Sequence, residues 1–106
     1  MKRIYIAGPM TGIEDLNRAE FEKAEGFIWQ SSAGTSLSVN PHVLAEIECW
    51  DEKTPLCQIA SILLGDLVGC DAIYMLRGWR DSKGATAEHA VAKWIGLEII
   101  YQGEAE

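Results

Sequence analysis

The stretch "CDAIYMLRGWRDSKGATAEHAVAKWIGLEIIYQ", residues 70–102, decides the fold. Its opening "CDAIYML" is too continuously hydrophobic for an edge strand and suits a strand covered on both faces. "RGWRDSKG" follows as a loop. Beyond it, Ala87, Val91, Trp94 and Ile95 recur at helical spacing, which predicts a helix that turns this stripe, Trp94 included, toward a core. "LEIIYQ" then reads as a last strand.

Working outward, the same alternation holds. "RIYIA", Arg3–Ala7, is a first strand that stops at Gly8-Pro9. After the loop "GPMTGIEDLN", Asn17 can cap a helix, and Glu20 three residues on completes a capping-box pattern. Ala19, Phe21, Ala24, Phe27 and Ile28 give that helix an apolar face. "SSAGTS" closes it, and "LSVNP" is a short second strand ended by Pro41. "HVLAEIECW" suits a short helix and "DEKT" a solvated turn. Pro55 suits the first turn of a further helix, capped by Thr54 and running to about Leu67. The closing "GEAE" reads as a frayed tail. Alternating strands and helices predict a parallel sheet with helices on both faces. The expectation is one domain over residues 1–106: a small flavodoxin-like (Rossmann-like) three-layer α/β unit with a four- or five-stranded parallel sheet.

Composition narrows the functions. The chain has 106 residues, 48% hydrophobic and 24% charged, with a formal net charge of −7. No apolar run approaches the ~20 residues that cross a bilayer. The start is too short in hydrophobic residues for a signal-peptide core, so a cytoplasmic location is expected. A nucleic-acid polymer would be repelled, and no Lys/Arg cluster offsets the charge. A single nucleotide is not excluded, because a small anion responds to local donors. Cys49, Cys57 and Cys70 form no CxxC pair, and the histidines stand alone, so neither a metal site nor a disulfide framework is expected. No cofactor is implied.

In open α/β sheets, ligands bind beyond the carboxyl ends of the strands. Three loops should gather there: "GPMTG", "NPH" and "RGWRDSKG". In the first, Gly8 and Gly12 permit close backbone approach and Thr11 offers a hydroxyl; the plain alternative is a tight turn. It matches neither GxGxxG nor the P-loop. Asp66 follows Ile59 and Leu63 at helical spacing, close to a helix C-terminus where the macrodipole disfavours negative charge. That suits a proton donor or a hydrogen-bond partner for a base; otherwise it is a solvated residue. Glu88 sits at the edge of its helix's apolar stripe, near the N-terminus that favours an ionised carboxylate. It is either a nucleophile toward an acetal carbon or a helix-stabilising acid. Asp81 and Ser82 could cap that helix, and Asp81 could equally bond a ligand. His89 should point outward. His42 is a turn histidine that could meet a ligand. Trp79 could stack on a base or join a subunit contact.

Together, "IYIAGPMTG", "NP", "GDLVGCDAIYML" and "GWRDSKGATAEHAVA" resemble the small phage and bacterial proteins of the DUF4406 family over residues 3–101. More distantly the chain is similar to nucleoside 2-deoxyribosyltransferases and 2′-deoxynucleoside 5′-phosphate N-hydrolases. That resemblance implies cleavage or transfer of the N-glycosidic bond of a (deoxy)nucleoside or nucleotide. Glu88 would be the nucleophile and Tyr5 the residue that positions it. Asp66 would lie near the base and sugar. Asp81 would contact the base. Gly8, Pro9, Met10, Thr11 and Gly12 would receive the 5′ end, with Trp79, Ser82 and Gly84 completing the pocket. A homodimer or larger homo-oligomer is expected, with neighbours supplying part of the site. Two other readings stand beside this one: a module that binds such a ligand without turnover, and an interaction protein whose tryptophans build an assembly surface.

Overall fold

The computed structural model describes residues 1–103. The tail "GEAE" falls, from Glu104 on, outside the described residues. Four strands, β1 (Lys2–Ala7), β2 (Ser36–Val39), β3 (Ala72–Met75) and β4 (Glu98–Tyr101), form one parallel sheet in the order β2-β1-β3-β4. Four α-helices cover it: α1 (Arg18–Ser31), α2 (Pro41–Ile47), α3 (Leu56–Val68) and α4 (Lys83–Ile95). This is the flavodoxin-like arrangement, and its strand order reverses between β1 and β3.

The two faces of the sheet are built from alternate residues. Ile4, Ile6, Ala72, Tyr74 and Leu76 pack under Phe21, Ala24 and Ile28 of α1. Tyr5, Ala7, Ile73 and Met75 pack under Leu67, Cys70, Ala85 and Ala92 on the α3/α4 side. All four residues of β3 are buried, as its continuous apolar run requires.

Several local expectations are corrected. Trp94 is 84% exposed, and Ala87 and Ile95 are exposed with it. The face of α4 that meets the sheet carries Ala85, Glu88 and Ala92 instead. Alanines let a helix lie close to a sheet already filled by Tyr5, Ile73 and Met75, whereas an indole would hold it away. On α1, Ala19 and Phe27 are exposed while Phe21, Ala24 and Ile28 are buried. Thr54 does not cap α3: its hydroxyl accepts the Asp51 amide (2.9 Å), and Pro55 occupies the cap position.

Asn17 precedes α1 but makes no side-chain cap. Asp15, Leu16 and Asn17 run with φ of 50°, 52° and 64°, a left-handed turn that costs L-residues on the order of 1–3 kcal/mol each. Two bonds hold it. Asn17 Nδ2 donates to the Pro9 carbonyl (2.9 Å), and His42 Nε2 donates to the Leu16 carbonyl (3.0 Å). His42 is buried edge-on against Phe21, so it serves this turn and is not presented to a ligand. Asn40, by contrast, caps α2 by accepting the His42 amide (2.9 Å), with Pro41 following at the first helical position.

Candidate active site

Tyr5 projects from the middle of β1 toward α4, and its hydroxyl donates to Glu88 Oε2. The two lie 83 residues apart in the chain. Tyr5 is fully buried and Glu88 is 9% exposed. Ser82 sets the start of α4 by accepting the Ala85 amide (3.1 Å), which places Glu88 in its second turn, facing the sheet. There the macrodipole has largely faded. Burial dominates and pushes the Glu88 carboxyl up to about 7, with the Tyr5 hydrogen bond pulling the other way. The expectation of a carboxylate held ionised by the helix N-terminus is therefore replaced by one balanced near neutrality. Burial, Glu88 and then Asp66 together push the Tyr5 phenol up, so it remains a donor.

The other anticipated residues divide between neighbouring places. Asp66 lies in the last turn of α3, half-buried and near enough for its charge to act on Tyr5. It lines a cleft of about 260 Å³ beside β2, with Arg3 and Asn40. Asp81 is exposed on the turn Trp79–Asp81 and lines a separate cleft of about 420 Å³. Pro9, Thr11, Asn17, Arg77 and Gln102 also line that cleft. The "GPMTG" and "RGWRDSKG" loops thus meet, while "NPH" stands apart beside β2. Neither Tyr5 nor Glu88 lines these clefts.

Within the first loop the roles differ residue by residue. Gly8 is there for packing: a Cβ would stand 2.7 Å from Leu76. Met10 packs against the α1-side core and not into the cleft. Gly12 turns the chain with φ of 82°. Gly84 is exposed, and a Cβ there would meet nothing closer than Ser82 Oγ at 4.0 Å, so no packing within the chain demands glycine.

Trp79 is buried, not open to a base. Its ring stacks on His89 (4.2 Å between centroids) and the Arg80 guanidinium lies 4.6 Å from its centre. His89, expected to point into solvent, is half-buried, and its Nε2 lies 2.9 Å from the Tyr101 hydroxyl. Burial, then Lys93 and Arg80, lower its pKa. Sequence spacing put His89 about 100° from Glu88, which is correct; the loop that folds back over it carried no periodic signal. Arg77, Asn17 and Gln102 were likewise missed as lining residues, because only the sheet order brings them together. Among the described residues no cluster of three His, Cys, Asp or Glu side chains could hold a metal ion. No helix there is long and apolar enough to cross a membrane.

A family model described as "Domain of unknown function (DUF4406)" matches residues 2–101. Among curated proteins, none matches the sequence. Among solved structures, a chain described as 2-desoxiribosyltransferase from Leishmania mexicana superposes with a TM-score of 0.69. The identity is 20%, and the match covers 95% of this chain and 63% of that one. This chain thus spans less than two thirds of that neighbour's length. At this identity the likeness concerns the fold.

Proposed function

The chain belongs to the DUF4406 family, and from that premise we propose that it cleaves or transfers the N-glycosidic bond of a (deoxy)nucleoside or nucleotide. The observation that carries this reading is the buried Tyr5–Glu88 hydrogen bond. A carboxylate with a pKa near neutrality, held by a neutral phenol donor, is both available as a nucleophile and fixed in aim. The printed description of the structural neighbour, a desoxiribosyltransferase, agrees with it.

In this mechanism ionised Glu88 forms a bond to C1′ as the C1′–N bond breaks, through an oxocarbenium-like transition state. The departing base takes the electron pair and a proton from an acid. Asp66, which lies near the Tyr5–Glu88 pair, is favoured for that role over Asp81, and it would act in its protonated form. Water, or a second base, then attacks C1′ and releases Glu88. Access to the buried pair is required, and the exposed apolar residues of α3 and α4, Leu56, Val68 and Trp94 among them, suit contact with a second copy that shapes the entrance.

The test is to incubate the protein with nucleosides and 5′-monophosphates and follow free base by chromatography. Base release that falls by at least about a thousandfold in Glu88→Gln is expected. Release that persists in the variant would overturn the role of Glu88. The enclosure of the pair favours a second reading, a binding module without turnover. Its mark is a thermal shift with one ligand, unaltered by Glu88→Gln, and no base released.

A further inference from the structure

The Tyr5–Glu88 pair is enclosed, and a reaction at Glu88 needs a way in. Three residues line a cleft of about 180 Å³ at the carboxyl ends of β3 and β4 and also belong to, or pack against, the buried layer that contains Tyr5: Met75, Trp79 and Tyr101. Met75 and Tyr101 face each other in the β3–β4 ladder, so moving either would break sheet hydrogen bonds. Trp79 sits on the three-residue turn Trp79–Asp81 that links β3 to α4. On the opposite side, the cleft of about 260 Å³ reaches the same layer at Val39, which the sheet pairs with Tyr5. Trp79 is therefore the part of this wall that can leave without unmaking a strand.

The turn is built to move as a unit. Gly78 before it has φ of 83°, a conformation that glycine adopts at little cost, and Ser82 after it is extended where α4 begins. Its backbone bonds are short-range. The Trp79 amide donates to the Leu76 carbonyl (3.2 Å), the Asp81 amide to the Gly78 carbonyl (3.0 Å) and the Ser82 amide to the Trp79 carbonyl (3.1 Å). The Arg80 guanidinium over the indole belongs to the same turn and travels with it. What ties the turn to α4 is the ring itself. It stacks on His89 with planes 27° apart, and the Tyr101 hydroxyl holds His89 Nε2 at 2.9 Å. Thr86 Oγ1 adds a long bond to the Trp79 carbonyl (3.4 Å). His89 directly follows Glu88 in α4, so the seat of the indole and the proposed nucleophile stand on one turn of helix.

We propose that the segment Gly78–Ser82 is a gate with Trp79 as its plug: the indole leaves its stack on His89 to open the way to Tyr5 and Glu88, and returns to close it. The inference rests on the reading of that pair as the reacting centre and adds how the centre is reached. Closure does two things for such a reaction. It keeps bulk water from the developing positive charge at C1′, and it strengthens every electrostatic contact inside. Loops that admit substrate and then shut over it move in microseconds to milliseconds, by rotation at a few terminal residues such as Gly78 and Ser82.

The experiment measures how fast Glu88 is modified in the folded full chain. A water-soluble carbodiimide with glycine ethyl ester amidates accessible carboxyls, and peptide mass spectrometry locates them. The exposed Glu22 is the reference for an open carboxyl, and a thiol reagent at the buried Cys70 reports global unfolding. In the unaltered protein Glu88 should react slower than Glu22 by on the order of a hundredfold or more, as a site reached through local opening does. His89→Ala should raise the Glu88 rate by about two- to tenfold, the range that loss of an aromatic stack implies, and Trp79→Ala should raise it further. Cys70 should stay protected in both. Equal rates at Glu88 and Glu22 in the unaltered protein, a Glu88 rate that neither variant raises, or a rise matched at Cys70 overturns the gate. If Trp79→Ala does not fold, His89→Ala decides alone. Labelling needs no turnover, so a failed gate leaves base release by Glu88 standing, and absent base release leaves the labelling result unchanged.

Discussion

The two faces of this sheet differ in what they bury. Under α1 the contact is Ile4, Ile6, Tyr74 and Leu76 against Phe21, Ala24 and Ile28, with the buried His42 imidazole edge-on against Phe21. Under α4 the layer contains Tyr5 and Glu88, bonded to each other, with Asp66 near enough to act on the phenol. An apolar layer stabilises at every pH. A buried carboxyl stabilises only while it is protonated, because removing its proton leaves a poorly solvated charge. The difference teaches where to look: a fold that tolerates such a group in its interior keeps it against a stability cost, and sites of chemistry are where such costs concentrate.

This contrast can be broken or sharpened by substitution. The largest change is expected on the α1 side, where Phe21→Ala removes a fully buried ring and should cost about 3–5 kcal/mol in denaturant unfolding. That loss should be the same at pH 7 and pH 8, where the neighbouring His42, its pKa lowered by burial, is neutral. A loss that varies between pH 7 and pH 8 would mean that the α1 layer holds a titrating group besides His42.

On the other face the sign should reverse with pH. The Glu88 carboxyl is raised from 4.5 to about 7 in the folded chain, so its contribution is fully present below about pH 4.5 and is lost as pH rises through 7. Glu88→Gln mimics the protonated form. It should stabilise the protein by about 3 kcal/mol at pH 8 and by less than about 1 kcal/mol at pH 5. Equal stability of the two proteins at pH 8 would show that Glu88 is better solvated than its burial indicates. Tyr5→Phe removes the bond that holds the Glu88 carboxyl down, so the rising limb of a pH–rate profile, expected near pH 7, should move to higher pH. An unmoved limb would separate that profile from Glu88.

The smallest effect is predicted for Trp94→Ser. At 84% exposure this indole should contribute within about 0.5 kcal/mol to the stability of a single chain. If α4 meets a second copy, the same variant should sediment as a smaller species. A loss of several kcal/mol without a change in size would restore Trp94 to the core.

What was legible beforehand follows from range. The four strands, the parallel sheet and the α/β layering were readable, since each depends on residues close together in the chain: continuous apolar runs at Ile4–Ala7 and Ala72–Met75, and Gly or Pro at their ends. Ser82 as a helix cap was within reach of the same local rules, although Asn17 and Thr54 fit those rules equally well and were claimed by Pro9 and Asp51, and Asn40-Pro41, read as a strand end, starts a helix. Periodicity also misjudged α4, because it weights residues by hydrophobicity, and the sheet selected for size: alanine and one carboxyl side chain fit where Trp94 did not.

By itself, then, the sequence determined which segments are strands and helices, and it offered Tyr5 and Glu88 as separate oddities whose pairing only the family resemblance implied. Tertiary structure decided that they share one hydrogen bond across 83 residues, that His89 stacks on Trp79, and that Arg77 and Asp81 face one cleft while Asp66 faces another. Local rules act over a few residues of chain, whereas a side chain's charge state and company are set by whatever the fold brings within a few ångströms of it.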